Sequence, residues 1–116
     1  MTCRIDTDRR VPGMAIVSLV GEHETFSADQ IETALEDAIA DELAVIVDLT
    51  ETEFLDSAAV TVLLRARDAA QRRGLRFALV IDDSTGWPVR QLLEVTGLVS
   101  VFPIAQSRDD AIAGAA

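Results

Sequence analysis

The sequence predicts an α/β domain in which helices pack on a mixed β-sheet. Short apolar runs rich in β-branched residues alternate along the chain with longer segments whose apolar residues recur at helical spacing. The first two runs are separated by a turn that contains Pro12 and Gly13, which is typical of an N-terminal β-hairpin. Because 49% of the residues are hydrophobic and only 4% are aromatic, the core is expected to be aliphatic.

The predicted hairpin consists of two unequal strands. Residues 1–8 alternate weakly between apolar and polar side chains, and Met14–Val20 is a firmer strand that Gly21 closes. The polar residues that follow, Glu22–Thr25, are expected to form a loop.

The first helix is predicted to begin at Ser27. Ser27 and Gln30 match a capping box, and Phe26 with Ile31 match a hydrophobic staple. The apolar period continues to about Asp41, and the acidic residues of this segment are expected to face solvent.

A strand, a turn and a helix are predicted at the centre of the chain. Ala44–Leu49 has the composition of a strand that is covered on both faces, and Thr50–Glu53 is expected to be a polar turn. Asp56 is a good N-cap for the helical period that follows, so Ser57 becomes the first helical residue. Gly74 is expected to end this helix.

The remaining segments continue the alternation of strands and helices. In total we predict four to five strands and about four helices in a single domain, residues 1–116, with its core at about 13–114. The last predicted elements are a strand over Leu75–Ile81, a helix from Trp87-Pro88 to Gly97, a strand over Val99–Ile104 and a helix that Ser107 caps.

The charge of the chain argues against several classes of function. Twenty acidic residues stand against ten basic ones, for a formal net charge of −10, and none of the basic residues is lysine. Such a chain offers no basic surface to nucleic acid, so a partner of basic or mixed charge is expected instead. The lack of lysine excludes a phosphate-binding loop and Schiff-base chemistry.

Metal, cofactor and membrane functions also lack sequence support. Cys3 and His23 are the only cysteine and histidine, and they show no metal-ligand spacing, so neither a metal nor a cofactor is expected. The chain has no apolar run of about 20 residues and no signal-peptide pattern, which predicts a cytoplasmic protein that does not bind a membrane.

Ser57 is the one residue whose position suggests chemistry. A hydroxyl at the first position of a helix lies at the positive end of the helix dipole, where added negative charge is tolerated. Ser57 is therefore either a small polar residue that completes the cap or a site of modification.

Four segments together resemble the STAS domain family, and specifically the bacterial anti-sigma factor antagonists. The resemblance extends over almost the whole chain, and its most specific part is the Asp-Ser pair at the start of the central helix. The matching segments are Gly21-Glu22, Asp48-Leu49, Phe54-Leu55-Asp56-Ser57 and the stretch from Val89 to Leu98.

The resemblance implies a phosphorylation switch at Ser57. In that family the matching serine is phosphorylated by an anti-sigma factor that is also a serine kinase, and a metal-dependent serine phosphatase removes the phosphate. It further implies a monomer or weak dimer that binds the anti-sigma factor while unphosphorylated, through a surface that we place at Glu22, His23, Glu24, Thr25, Asp56, Ser57, Ala58 and Ala59.

The chain departs from the family pattern at three places. Ala58 and Ala59 stand where the family usually has Ser or Thr and then Gly, which should make the first turn of the helix more rigid. His23 and Glu24 replace an apolar residue and an Asp, and Glu51 stands at a turn position where Gly is frequent.

Three alternatives remain open at the level of sequence. A STAS module can serve as a constitutive interaction subunit of a transport or signalling complex without phosphorylation. An enzyme with Ser57 as nucleophile would need a base, for which His23 is the only histidine. A receiver domain would use Asp48, but the lysine that supports such a site is missing, so Asp48 is interpreted as a turn-capping residue.

Overall fold

The computed structural model describes residues 3–23 and 25–114, except for the side chains of residues 25 and 26. The predicted α/β domain with an N-terminal hairpin and a mixed sheet is confirmed, with six strands instead of four to five in this part of the chain. In chain order the strands are β1 (Cys3–Asp8), β2 (Met14–His23), β3 (Ala44–Asp48), β4 (Thr52–Leu55), β5 (Phe77–Val80) and β6 (Ile104–Ala105). The helices are α1 (Thr25–Ala40), α2 (Ser57–Arg72), α3 (Trp87–Val95) and α4 (Arg108–Gly114), with a 3₁₀ turn at Leu98–Ser100.

The long strand β2 organises the sheet. The strand order is β1-β2-β3-β5-β6, and only the β1–β2 hairpin is antiparallel. Residues 14–18 of β2 pair with β3, and its last residues, 21–23, pair with β4. β4 therefore lies beside the end of β2, beyond the point at which β3 has stopped.

One face of the sheet packs against α1, α2 and α3. Alternate strand residues, among them Val17, Val47 and Leu79, are fully buried in this core. Phe77 and Phe102 are its only aromatic members among the described residues, which agrees with the aliphatic core that the composition predicts.

The other face carries a smaller core beneath α4. Because β2 is covered on both faces, the six residues from Met14 to Leu19 are all buried. The second core consists of Met14, Ile16, Ile46, Val80 and Ala111.

An arginine at the start of α4 ties this helix to the sheet. Arg108 Nε donates to Asp48 Oδ2 at 2.5 Å, and Arg108 Nη2 donates to Ser18 Oγ at 2.5 Å. Asp48 Oδ1 accepts the Thr50 N–H at 2.9 Å, which confirms the predicted turn-capping role. The buried Asp48 carboxylate is thus charge-paired and hydrogen-bonded, as a buried charge must be.

Two predicted loops are strands instead. The predicted loop at Glu22–Thr25 is wrong for Glu22 and His23, which belong to β2, and the predicted turn at Thr50–Glu53 is wrong for its second half, which begins β4. Polar composition favoured turns at both places. The pairing of β2 with β4 overrides it, because Thr52 is buried and its hydroxyl donates to the Leu19 carbonyl at 2.5 Å.

Two further predictions need correction. Of the strand predicted over Val99–Ile104, the first two residues belong to the 3₁₀ turn at Leu98–Ser100 and residues 101–103 are turn or irregular, so only Ile104, with Ala105, pairs with β5. The helix predicted to start at Ser27 starts at Thr25, so Ser27 is not its N-cap. The staple predicted for Phe26 lies outside the described side chains.

The predicted ends of the later helices are confirmed. Gly74 and Gly97 follow α2 and α3 in the left-handed conformation, with φ of 69° and 76°. Ser107 Oγ accepts the Asp110 N–H at 3.0 Å and so caps α4.

A buried imidazole ties the end of β2 to α1. His23 is fully buried, with Nε2 3.0 Å from the Val20 carbonyl oxygen and Nδ1 3.2 Å from Ser27 Oγ. Because a carbonyl can only accept, Nε2 carries the proton and Nδ1 accepts from the Ser27 hydroxyl. Burial lowers the pKa of His23, since the imidazolium form would lose its hydration.

Gly86, the residue before α3, packs directly against the backbone of Glu53 in β4. Its N–H donates to the Thr52 carbonyl at 2.8 Å. A Cβ at this position would lie 2.5 Å from the Glu53 carbonyl oxygen and 2.7 Å from Glu53 Cα, which no side chain can tolerate without movement of the backbone. The absence of a side chain at Gly86 therefore sets the distance between α3 and β4.

We expect Gly86→Ala to lower the free energy of unfolding by about 1–3 kcal/mol, because the added methyl forces α3 away from β4. Urea denaturation followed by the fluorescence of Trp87, the only tryptophan, measures this change on α3 itself. Gly74→Ala is the control, since a Cβ there meets nothing within 4 Å and only the positive φ opposes it. An unchanged unfolding midpoint for Gly86→Ala would show that this contact does not hold α3.

We expect the free energy of unfolding to fall as the pH is lowered from about 6.5 towards the depressed pKa of folded His23. The folded state keeps the ring neutral, whereas the unfolded chain binds a proton near the ordinary value of 6.5, so acid favours unfolding. Urea titrations at about pH 7.5 and about pH 5.5 span this window and stay above the range of ordinary carboxyls.

The control for this pH dependence is His23→Leu, which removes the only histidine. The variant should lose most of the dependence between these two pH values. A slope as steep as that of the parent chain would show that groups other than His23 cause it.

Candidate functional site

Ser57 is the first residue of α2, and its side chain is exposed. Within the described part of the chain, no hydrogen bond engages the Ser57 hydroxyl. The Ser57 carbonyl accepts from the Thr61 hydroxyl at 2.8 Å, which belongs to the backbone of the first turn. The hydroxyl thus lies at the positive end of the dipole of a 16-residue helix, where a modifying enzyme or a partner protein can reach it.

Asp56 holds the start of α2 in place. It is extended, with φ −92° and ψ 178°, and its Oδ1 accepts the Ala59 N–H at 2.9 Å, which confirms the predicted N-cap. The Asp56 N–H donates to the His23 carbonyl at 3.1 Å. The N-cap of α2 is therefore bonded directly to the last residue of β2.

The pairing of β2 with β4 brings together residues from two distant parts of the sequence. Glu22 pairs with Phe54, and His23 pairs with Leu55. Since paired residues share a face of the sheet, the half-buried Glu22 lies beside the half-buried Phe54. The end of β2 and the start of α2 therefore adjoin each other.

The residues predicted to contact a partner differ in what they can offer. Ser57 is exposed, and Glu22, Asp56 and Ala58 are half-buried. Ala59 is fully buried in the main core, so a direct contact from its side chain is contradicted by the structure.

A similar correction applies to His23, for which the sequence predicts a polar loop. Its ring is buried because Val20 and Ser27 satisfy both nitrogens, so only its carbonyl reaches the site, through Asp56. Glu24 lies outside the described residues, and so does the side chain of Thr25.

An apolar groove adjoins Ser57, and sequence analysis missed it. It is a shallow depression, open to solvent, with a volume of about 520 Å³ between the segment that leads into α2 and one side of α3. Its lining consists of Phe54, Leu55, Asp56 and Ser57 on one side and Pro88, Gln91, Leu92 and Val95 on the other.

A signal for this groove exists in the sequence of α3. Val89 and Leu93, four residues apart, are the buried residues of the helix and belong to the main core. Pro88, Leu92 and Val95 form a second apolar stripe at the same helical spacing, and Val95 is 77% exposed. Leu92 also packs against the main core, whereas Pro88 and Val95 are exposed, so this stripe extends from the core to an apolar surface.

The alternative roles considered for Ser57 and Asp48 gain no support from the geometry. The base that a Ser57 nucleophile would require is His23, whose ring nitrogens are engaged by Val20 and Ser27. Asp48 is held by Arg108 and by the Thr50 N–H, as a structural carboxylate is.

The described residues offer neither a cluster of metal ligands nor a helix able to span a membrane. Across residues 3–23 and 25–114, no cluster of three or more His, Cys, Asp or Glu side chains is arranged to hold a metal ion. None of the helices in that same part of the chain combines the length and the apolarity needed to cross a bilayer.

Two proteins that are similar to this chain over most of its length are described as anti-sigma factor antagonists. A proposed anti-sigma factor antagonist, BtrV of Bordetella bronchiseptica, is 32% identical over 105 residues, which is 90% of this chain and 88% of BtrV. A solved anti-sigma factor antagonist from Mycobacterium paratuberculosis superposes with a TM-score of 0.80 at 26% identity, over 98% of this chain and 94% of that one.

Two more distant structures share the fold alone. The unphosphorylated form of the anti-sigma factor antagonist SpoIIAA has a TM-score of 0.78 at 20% identity, over 94% of this chain and 93% of that one. A sulfate transporter family protein from Wolinella succinogenes has a TM-score of 0.70 at 20% identity, over 90% of this chain and 87% of that one.

The match to a model of a whole protein family identifies the family of this chain. The model of the STAS domain matches residues 7–111, which include every strand from β2 to β6 and the segment that carries Asp56 and Ser57. The chain therefore belongs to the STAS domain family.

Proposed function

We propose that this protein is an anti-sigma factor antagonist that is switched by phosphorylation of Ser57. In this proposal the unphosphorylated chain binds an anti-sigma factor and thereby releases a sigma factor. The anti-sigma factor is also the serine kinase, and a serine phosphatase resets the switch. Since sigma factors act in transcription, the protein would work in the cytoplasm.

The observation that carries this proposal is the exposed Ser57 hydroxyl at the N-terminus of α2. Asp56 already satisfies the Ala59 N–H, so the cap does not depend on Ser57. The hydroxyl is therefore available to a kinase without disruption of the helix. The names of the relatives support the same function, and the resemblance of the Asp56-Ser57 segment to the family motif supports the same residue.

The fold itself should tolerate a phosphate at Ser57. Phosphorylation adds a charge of about −1.5 to −2, and the positive end of a helix offsets such a charge by about 0.3–1 kcal/mol. Repulsion from the half-buried Asp56 carboxylate acts in the opposite direction. Ser57 is exposed, so solvent screens that repulsion, and α2 should stay folded.

The phosphate should instead weaken the complex with the partner. A surface shaped for a neutral hydroxyl meets a doubly charged group, which must be desolvated and which repels nearby carboxylates of the chain. Because about 1.4 kcal/mol changes an affinity tenfold, a cost of about 3 kcal/mol weakens binding by about a hundredfold. Such a difference is sufficient for a two-state switch.

Ala58 and Ala59 restrict how the kinase can approach. Ala59 is buried in the core and Ala58 is half-buried, so the first turn of α2 is anchored by packing on the side away from Ser57. The kinase must accept a rigid serine instead of reshaping the helix start. This requirement favours a dedicated partner over a general kinase.

A constitutive STAS subunit is the second candidate. The shared fold with a sulfate transporter family protein shows that the architecture also occurs in that context. Under this alternative the surface around Ser57 would bind a partner permanently, and no phosphate would be added.

We expect a kinase-type anti-sigma factor of the source organism to add one phosphoryl group to the chain in the presence of ATP. Each such purified kinase is incubated with the chain, and intact mass spectrometry measures the product. Ser57→Ala should abolish the modification. Ser100→Ala, the same change at another exposed serine, should leave it intact.

Calorimetry with the kinase so identified then tests the switch itself. Ser57→Ala should bind as the unphosphorylated chain does, and Ser57→Asp, which the helix dipole accommodates, should bind about tenfold more weakly or worse. Equal affinities for the two variants would contradict the switch. A candidate anti-sigma factor that binds the chain tightly but adds no phosphate would favour the constitutive subunit.

A further inference from the structure

We propose that the groove between β4 and α3 is a second part of the partner surface, and that it receives an apolar side chain of the anti-sigma factor flanked by basic residues. This inference rests on the proposed function, because it names the chemistry of the same partner. It adds a contact region on α3 that the prediction of a site around Ser57 does not contain.

The groove is continuous with the proposed switch residue. Ser57 and Asp56 belong to its lining, together with Phe54 from β4 and Leu92 and Val95 from α3. A partner that covers the Ser57 hydroxyl must therefore also cover the opening of the groove. If the groove stayed filled with water inside such an interface, the complex would lose the favourable free energy of burying its apolar walls.

The chemistry of the walls identifies the occupant as apolar. Of the residues that line the groove, only Asp56 is charged, and the second apolar stripe of α3 supplies three of the four residues on one side, the fourth being Gln91. Val95 is 77% exposed and Trp87, at the start of the same helix, is 63% exposed. The chain has only five aromatic residues, and its one tryptophan is among these exposed side chains instead of in the core. Large apolar side chains exposed on one helix are typical of an interaction surface.

The charge around the opening identifies what flanks the occupant. Asp56 lies in the lining, and Glu22 shares a sheet face with Phe54. None of the eight lining residues is basic, and the chain as a whole carries a net charge of −10. Lysine or arginine beside the apolar anchor would complement these carboxylates and speed association.

The groove is formed before any partner arrives. The Gly86 N–H bonds to Thr52, and the lack of a side chain lets α3 start directly against Glu53, so one end of α3 is fixed to β4. Within the helix, Val89 in the first turn and Leu93 near the end anchor α3 in the core. A preformed groove binds without paying for the ordering of its walls.

A phosphate on Ser57 would act on this groove directly. It would place a dianion beside an apolar groove that a partner must dehydrate in order to fill, and in this proposal the cost of desolvating the dianion exceeds its attraction to the basic flank. Loss of the apolar contact would then accompany loss of the contact at the hydroxyl. The two parts of the surface are therefore coupled.

Val95→Glu tests the groove without touching the switch residue, and the high exposure of Val95 makes misfolding of the variant a minor concern. Calorimetry uses the purified anti-sigma factor identified through Ser57 phosphorylation. We expect Val95→Glu to weaken binding at least about tenfold. Val95→Arg should weaken it further, because it adds repulsion from the basic flank to the loss of the apolar contact.

Val99→Glu is the matched control. It is the same chemical change at a 44% exposed valine in the 3₁₀ turn, outside the groove lining, and it should bind as the parent chain does. Thermal unfolding of all three variants confirms that they are folded. The rate of Ser57 phosphorylation provides a second readout, in which Val95→Glu should raise KM at least about tenfold and leave kcat little changed.

The outcomes separate the two proposals. Phosphorylation of Ser57 together with unchanged binding by both Val95 variants overturns the groove and leaves the switch intact. Absence of any kinase that binds or modifies the chain overturns the proposed function itself. Sedimentation of the chain alone completes the test, since self-association that Val95→Glu abolishes would assign the groove to a second copy and overturn the inference.

Discussion

The hydrogen bond from the Asp56 N–H to the His23 carbonyl joins the two halves of the site. It connects the last residue of β2 to the cap of α2 at 3.1 Å, and both ends are fixed by other contacts. The His23 ring is bonded within the core, and the Asp56 carboxylate holds the first turn of the helix. The position of Ser57 therefore depends on the sheet, which is more rigid than a loop would be.

What could be predicted from sequence was local, and what was missed was long-range. The cap at Asp56 and the strand at β3 follow from side chains within a few residues of each other. β4 does not, because Thr52 and Glu53 have turn-forming neighbours and a polar composition. Its strand conformation comes from pairing with β2, 31 to 32 residues earlier, and from the bond between the Thr52 hydroxyl and the Leu19 carbonyl.

The same distinction explains the interpretation of His23. A histidine among acidic residues suggests a solvated loop, and its burial is possible only because Val20 and Ser27 satisfy both ring nitrogens. The α3 groove differs, since its signal was present in the sequence. The stripe of Pro88, Leu92 and Val95 was available as a pattern, but only the position of β4 shows that it faces Ser57.

At this site the positions of the charges allow a change in partner affinity without a change in the stability of the fold. The helix start already accommodates the negative charge of Asp56, so a further charge on the exposed Ser57 acts mainly on whatever covers it. The fold places its own buried charge elsewhere, at Asp48, where Arg108 neutralises it. A modification at Ser57 can therefore change the surface without changing the core, because the buried Ala59 and the groove anchors Val89 and Leu93 make no use of the hydroxyl.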